Sequence, residues 1–343
     1  MRLNLIGNGF DLYHGLPCAY YHFACYLAKN DPDFYVEMAR MFGFKYMRYL
    51  GFPEDDAVFI ADDLFWKTFE EKLGELDTTW LEESLLDDLG LEYPDDPVEL
   101  EIPEVANSQA IVQKFTEWIV NTVNTSGNFE TIKDMIGSNL LALNENDYYI
   151  NFNYTQTLEE VYDISFSRVF HIHGECDLDA MDDIPALVVG HGNKKNIEKL
   201  EKRIKEIEDD GYYLSSQEVK KRMSEYEAEL HILKDLRKNV DSLIVEMIHN
   251  LELRSINPDE IWIWGLSCGE VDKPYIMKLK SLFPGVKWEF SYFNESEKER
   301  RKEFVEELGL TNVEYFHFAN NEANRISEML ITENNIEELE KVF

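Results

Sequence analysis

Short runs of aliphatic, β-branched and aromatic residues punctuate this chain, separated by long stretches in which apolar positions recur every three or four residues. The short runs predict seven strands: Leu3–Ile6, Tyr148–Phe152, Val169–Ile172, Ala186–Val189, Ile261–Trp264, Trp288–Tyr292 and Val313–Phe318. Helical patterns separate most of them, which predicts an α/β fold with an open, largely parallel sheet. About 140 residues with almost no strand signal lie between the first two strands. Within them Phe65, Phe69 and Leu73 share one helical face, as do Ile111, Phe115, Trp118 and Ile119.

A second helical stretch begins at Lys194. Ile197, Leu200, Ile204 and Ile207 step by three and four, and Val219, Met223, Tyr226, Leu230 and Leu233 resume the rhythm after Gly211 and a Ser215-x-x-Glu218 capping box. Two such stripes bury each other in an antiparallel hairpin. The expected organisation is one α/β domain over 1–343, with a helical insertion at 18–145 and a helical hairpin insertion at 194–251.

Charge narrows the function classes. The 343 residues carry 33 Lys and Arg against 68 Asp and Glu, a formal charge of −35. Such a surface repels phosphate backbones, so nucleic-acid binding is not expected. The stretch from Glu54 to Glu104 holds 19 acidic and 2 basic residues. It reads as a solvated face or as a contact surface for a basic protein partner. No run approaches the ~20 apolar residues that span a bilayer. Cys18, Cys25, Cys176 and Cys268 form no CxxC pair, so a reduced, cytoplasmic chain without a structural zinc is expected. A hairpin projecting from a sheet domain makes self-association an expectation as well.

Candidate chemistry gathers where strands end. The first strand runs into Gly7-Asn8-Gly9-Phe10-Asp11 and on to His14-Gly15-Leu16-Pro17. Glycines there permit a sharp turn and close approach of backbone N–H groups to a diphosphate. Asn151-Phe152-Asn153-Tyr154-Thr155 closes the second strand, His171-Ile172-His173-Gly174 the third, and Trp264-Gly265-Leu266-Ser267 a later one. Ligands of open α/β sheets bind outside the carboxyl ends of the strands, so these clusters are placed to converge. Each also has a plain structural use, in capping helices or making turns.

These motifs resemble those of the AbiH family of bacteriophage abortive-infection proteins, which is similar in turn to the sirtuin-like NAD-binding fold. The sirtuin glycine motif lies on Gly7 to Tyr20, matching Gly7, Gly9, Gly15 and Pro17. The asparagine of its T-Q-N-I-D loop falls on Asn153, its catalytic histidine on His173, its G-T-S loop on Gly265–Ser267, and a late strand-ending asparagine on Asn294. The resemblance implies a sirtuin-like, Rossmann-like sheet and NAD as substrate. It departs from sirtuins in lacking the zinc cysteines, in reading Cys18-Ala19-Tyr20 where the arginine facing NAD stands, and in placing Thr155 at the loop aspartate. These losses argue against a deacylase and leave cleavage of the nicotinamide–ribose bond, with the protein acting as an antiphage effector answering a phage-protein trigger.

That bond breaks through an oxocarbenium-like state. The resemblance implies Asn153 on the ribose hydroxyl or attacking water and His173 as proton acceptor; Asp11, standing where sirtuins carry a serine, is expected beside the ribose, to stabilise the developing cation or polarise water. Gly7, Asn8, Gly9, Phe10, Pro17, Thr155, Gly265, Ser267 and Asn294 would hold the nucleotide, and no metal is expected. The alternative is a nucleotide-sensing or interaction module without catalysis. Among other histidines, His171 reads as buried structure, His191 as a possible crevice residue, and His14 as a second acid/base group or a loop cap. Glu70 reads as packed helix with an exposed carboxylate, or as a lid residue.

Overall fold

The computed structural model describes residues 1–44, 68–77, 104–136, 141, 143–176, 187–209 and 217–318. Most of the acidic stretch, Phe65, Gly211 and Ser215 lie outside them. The chain divides into two compact units, one formed by Met1–Ala19, Thr116–Val188 and Asn239–Phe343, the other by Tyr20–Phe115 and Val189–Lys238.

The first unit is built on six parallel strands: β1 (Arg2–Ile6), β2 (Tyr148–Asn151), β3 (Val169–His171), β4 (Glu260–Trp264), β5 (Lys287–Tyr292) and β6 (Val313–His317). Their order is β3-β2-β1-β4-β5-β6. Alternation along the strands sends side chains to two apolar layers, as a parallel sheet covered on both faces requires. Leu3, Leu5, Tyr148, Ile150, Ile261, Ile263, Trp288 and Phe290 share one layer. Against them pack Val240, Leu243, Met247 and Leu251 of a helix at Val240–Leu253, Tyr275, Ile276 and Leu279 of a helix at Lys273–Leu282, and Phe304 and Val305 of a helix at Glu295–Glu307. The other layer holds Ile6, Tyr149 and Trp264 with Phe10 and Leu158.

In chain order the helices of the described residues are α1 (Asn8–Tyr13), α2 (Tyr20–Asn30), α3 (Pro32–Met41), α4 (Phe69–Lys72), α5 (Ser108–Trp118), α6 (Ser126–Ile136), α7 (Thr157–Tyr162), α8 (Lys194–Asp209), α9 (Gln217–Asp235), α10 (Val240–Leu253), α11 (Lys273–Leu282) and α12 (Glu295–Glu307). Helix α5 runs on into a π-helical turn at Ile119–Val123, closed by Asn124 N–H on the Ile119 carbonyl at 2.7 Å. Its predicted stripe of Ile111, Phe115, Trp118 and Ile119 is buried throughout.

The strand expected at Ala186–Val189 does not form over its described residues, Leu187–Val189. Val188 donates its N–H to the His173 carbonyl at 2.9 Å and accepts the Tyr154 hydroxyl at 3.0 Å, so a turn and a side chain satisfy backbone groups that a ladder would otherwise pair. Helices α8 and α9 pack against each other. Ile197 and Leu200 of α8 pack with Leu230 and Leu233 of α9. The Glu201–Lys234 ion pair at 2.7 Å and Arg203 over the Tyr226 ring fix the antiparallel sense. Helix α10, also within 194–251, instead covers the sheet, because its apolar stripe matches the face of β1 and β4.

Candidate functional site at the carboxyl ends of the strands

The turn after β1 meets the turn after β4 backbone to backbone. Gly7 N–H donates to the Trp264 carbonyl at 2.9 Å, and Gly9 N–H to the Gly265 carbonyl at 2.8 Å. A Cβ on Gly7 would stand 2.4 Å from the Leu266 Cα, and one on Gly265 would stand 2.3 Å from the Phe10 nitrogen. Gly265 also holds a φ of +63°, in the left-handed region that glycine adopts without steric penalty. The glycines therefore have a packing requirement that stands without any ligand. Phe10 N–H closes the turn on the Gly7 carbonyl at 2.8 Å. Its ring is wholly buried against His14, Tyr162 and Phe318.

On the β2 side of that turn lies a buried polar cluster. Asp11, only 1% exposed, accepts the hydroxyls of Thr155 and Thr157. Burial raises its carboxyl to about 6, against the opposing pull of those two hydroxyls and of His171. Asn153 donates its side-chain amide to the Gly7 carbonyl at 3.1 Å, tying the end of β2 to the end of β1. Its own N–H is held by the Asn151 side chain at 3.0 Å. Asn8 donates to the Cys18 carbonyl at 3.1 Å, and Pro17 is buried beside it in sequence. The Cys18 thiol is pushed well up by burial and by the Asp11 charge, so it stays protonated.

The two histidines of β3 and its turn have different surroundings. His173 is held by Nδ1 on the Phe152 carbonyl at 3.1 Å, with its ring beside those of Phe152, Tyr154 and Tyr275. His171 places Nδ1 3.4 Å from the Asn153 carbonyl and Nε2 3.0 Å from Glu159 Oε1 and 3.3 Å from Glu175 Oε2. Burial opposes a charged His171, yet the hydrogen bond and charge of Glu159, with Glu175, outweigh it and raise the imidazole pKa. The structure thus joins Gly7, Asp11, Asn153 and Thr155 with His171, and sets His173 two residues further on, in the turn after β3.

Other expected residues are committed locally. Ser267 donates to Asp272, and Asn294 caps α12 by accepting the Glu297 N–H at 2.9 Å. His191 belongs to the second unit, where Nδ1 accepts the Asn193 N–H at 3.1 Å and Nε2 donates to the Leu233 carbonyl at 2.8 Å. Glu70, in the same unit, pairs with the fully buried Lys238 ammonium at 3.0 Å. His14 bridges the Phe10 carbonyl and the Tyr162 hydroxyl, and burial lowers it to about 4, so it is neutral.

Sequence reasoning assigned no role to Thr157, Glu159, Glu175 or Asn124. Thr157 and Glu159 follow the Asn151–Thr155 run at alternate positions, and Glu175 lies four residues after His171. Asn124, wholly buried, receives the Gln156 N–H and donates to the Cys176 carbonyl. Nothing in its helical context signals that.

A six-stranded parallel sheet with this order, carrying a polar cluster at its carboxyl edge, defines a Rossmann-like α/β protein. The family model described as bacteriophage abortive infection AbiH matches residues 3–292, and the chain belongs to that family. No curated protein and no solved structure matches it. Membership associates the chain with phage abortive infection. Among the described residues no helix is long and apolar enough to cross a membrane.

Proposed function

We propose that this AbiH-family protein is an abortive-infection effector that binds NAD at the carboxyl edge of β1, β2 and β4 and hydrolyses its nicotinamide–ribose bond. The observation that carries the reading is the strand order, which is the one dinucleotides bind across at its switch point between β1 and β4. Gly7, Asn153 and Gly265 follow the ends of β1, β2 and β4 bordering that point, and Asp11 lies in α1 directly after the Gly7 turn. In the reaction the C1′–nitrogen bond breaks and its electron pair leaves with nicotinamide. Water then adds its oxygen to C1′ and loses a proton. Asp11, mostly ionised above its pKa of about 6, faces the developing positive charge. Asn153 positions the ribose or the water. His173, with Nδ1 oriented by the Phe152 carbonyl, offers Nε2 as the proton acceptor. The resemblance to sirtuins supports the same assignment of Asn153 and His173.

A second reading has its own observation. The Gly7, Gly9 and Phe10 N–H groups already bond to backbone carbonyls, and Asp11 is almost wholly enclosed. A diphosphate would need other donors, which favours a module that senses a nucleotide without cleaving it. Incubation of the purified chain with NAD, with and without phage lysate, separates the two. Release of nicotinamide and ADP-ribose that is lost in His173→Ala and Asp11→Asn supports hydrolysis. Binding with NAD recovered intact supports sensing, and absence of both overturns the nucleotide reading.

A further inference from the structure

Beside Asp11, the side chains of Glu159, His171 and Glu175 converge from α7, the end of β3 and the turn that follows. One ligating atom from each lies within 4.8 Å of the other two. We infer that these three side chains form a binding site for a single divalent transition-metal ion of the Zn²⁺ or Co²⁺ class, independent of any nucleotide.

Three observations on the same cluster support it. The first is spacing. Metal bonds of ~2.0–2.1 Å to imidazole and carboxylate set ligand-to-ligand edges of about 3.0–3.4 Å in octahedral or tetrahedral geometry. The two edges at His171 Nε2 measure 3.0 Å to Glu159 and 3.3 Å to Glu175. The second is orientation. His171 Nδ1 faces the Asn153 carbonyl, the outer partner that holds a ligating imidazole in the tautomer with its Nε2 lone pair toward the metal. The third is an unmet charge. The Glu159 side chain is 2% exposed, and its Oε2 has no hydrogen-bond partner among the described residues. A proton bridging Nε2 to Oε1 leaves that oxygen buried and unpaired. A dication answers both carboxylates at once. An imidazole with two carboxylates suits a borderline ion better than Mg²⁺ or Ca²⁺, which prefer all-oxygen shells. The 38% exposure of the Glu175 side chain provides the open side by which an ion enters.

The test uses the full chain, stripped of metal by chelator and free of nucleotide, so its failure leaves the NAD reading untouched. One equivalent of Co²⁺ is expected to produce a single exchangeable, hyperfine-shifted imidazole N–H resonance, that of His171 Nδ1. Zn²⁺ should erase it, and a hundredfold excess of Mg²⁺ should not. Glu175→Gln, at the rim, should weaken Co²⁺ binding at least tenfold while leaving the circular dichroism spectrum unchanged, and Glu159→Gln should abolish the resonance. The proposal is overturned if no shifted imidazole proton appears at one equivalent, or if Mg²⁺ displaces Co²⁺. It is equally overturned if Glu175→Gln binds Co²⁺ as tightly as the native chain, which would mark adventitious binding to an acidic surface.

Discussion

The two halves of the sheet edge present similar residue types and use them differently. At the ends of β4 and β5 the polar side chains close local turns or tie the two neighbouring strand ends together. Ser267 meets Asp272, Ser291 accepts the Gly265 N–H, and Asn294 caps α12 while Glu297 reaches back to the Phe293 N–H. Arg301 brings a compensating charge to Glu297 at 2.7 Å. At the ends of β1, β2 and β3, three carboxyl groups (Asp11, Glu159 and Glu175) gather around a single imidazole, that of His171, Asp11 reaching the cluster from the far end of the chain and Glu159 and Glu175 from close by in sequence. Turn-making does not require that excess of buried negative charge. The half of the edge where charge is enclosed against its own solvation is the half whose residues invite a chemical explanation.

The contrast can be broken at several points. The largest effect is expected at the seam itself. Gly265→Ala forces a Cβ to 2.3 Å from the Phe10 nitrogen at a φ of +63°, and should destabilise the fold by about 3 kcal/mol or more, read by urea unfolding. Asp11→Asn should behave in the opposite sense above neutral pH. The folded carboxyl, raised to about 6, binds its proton more tightly than the unfolded one, so native stability falls as pH rises from about 4 to about 7. Relative to the native chain, the variant should therefore gain roughly 3 kcal/mol between those limits. A pH-independent difference would show that Asp11 is not buried as described. On the β5 side, Asn294→Ala should lose only the cap of α12, about 1 kcal/mol, with nicotinamide release unchanged. Ser267→Ala should cost about 1 kcal/mol or less. A collapse of NAD binding in either variant would move the site to the β4–β5 side and reverse the comparison.

The alternation of Leu3-Asn4-Leu5-Ile6 and of Ile261-Trp262-Ile263-Trp264 made the central strands legible, because a strand buried on both faces leaves few polar positions to confuse it. The helical stripes of α5, α8 and α9 were legible for the matching reason of period. Ala186–Val189 misled because its composition is strand-like while its described backbone is satisfied by the His173 turn and the Tyr154 hydroxyl, partners that no local pattern reveals. At the site, the runs around Gly7, Asn153 and His171 were visible as strand ends. Glu159 and Glu175 were not, since an acidic residue on a short helix or turn looks like any solvated one.

The order of residues along the chain was enough to determine that strands alternate with helices, that a glycine turn follows the first strand, and that amides and imidazoles close the next two. Those are properties of neighbours, governed by side-chain period and backbone sterics. Only the tertiary structure decided that the glycines are required by backbone packing between β1 and β4, that His171 rather than His173 faces the carboxylates, and that Asp11 is enclosed. Each of those depends on groups more than a hundred residues apart, or on which way a turn leaves its strand, and burial has no meaning until such groups meet.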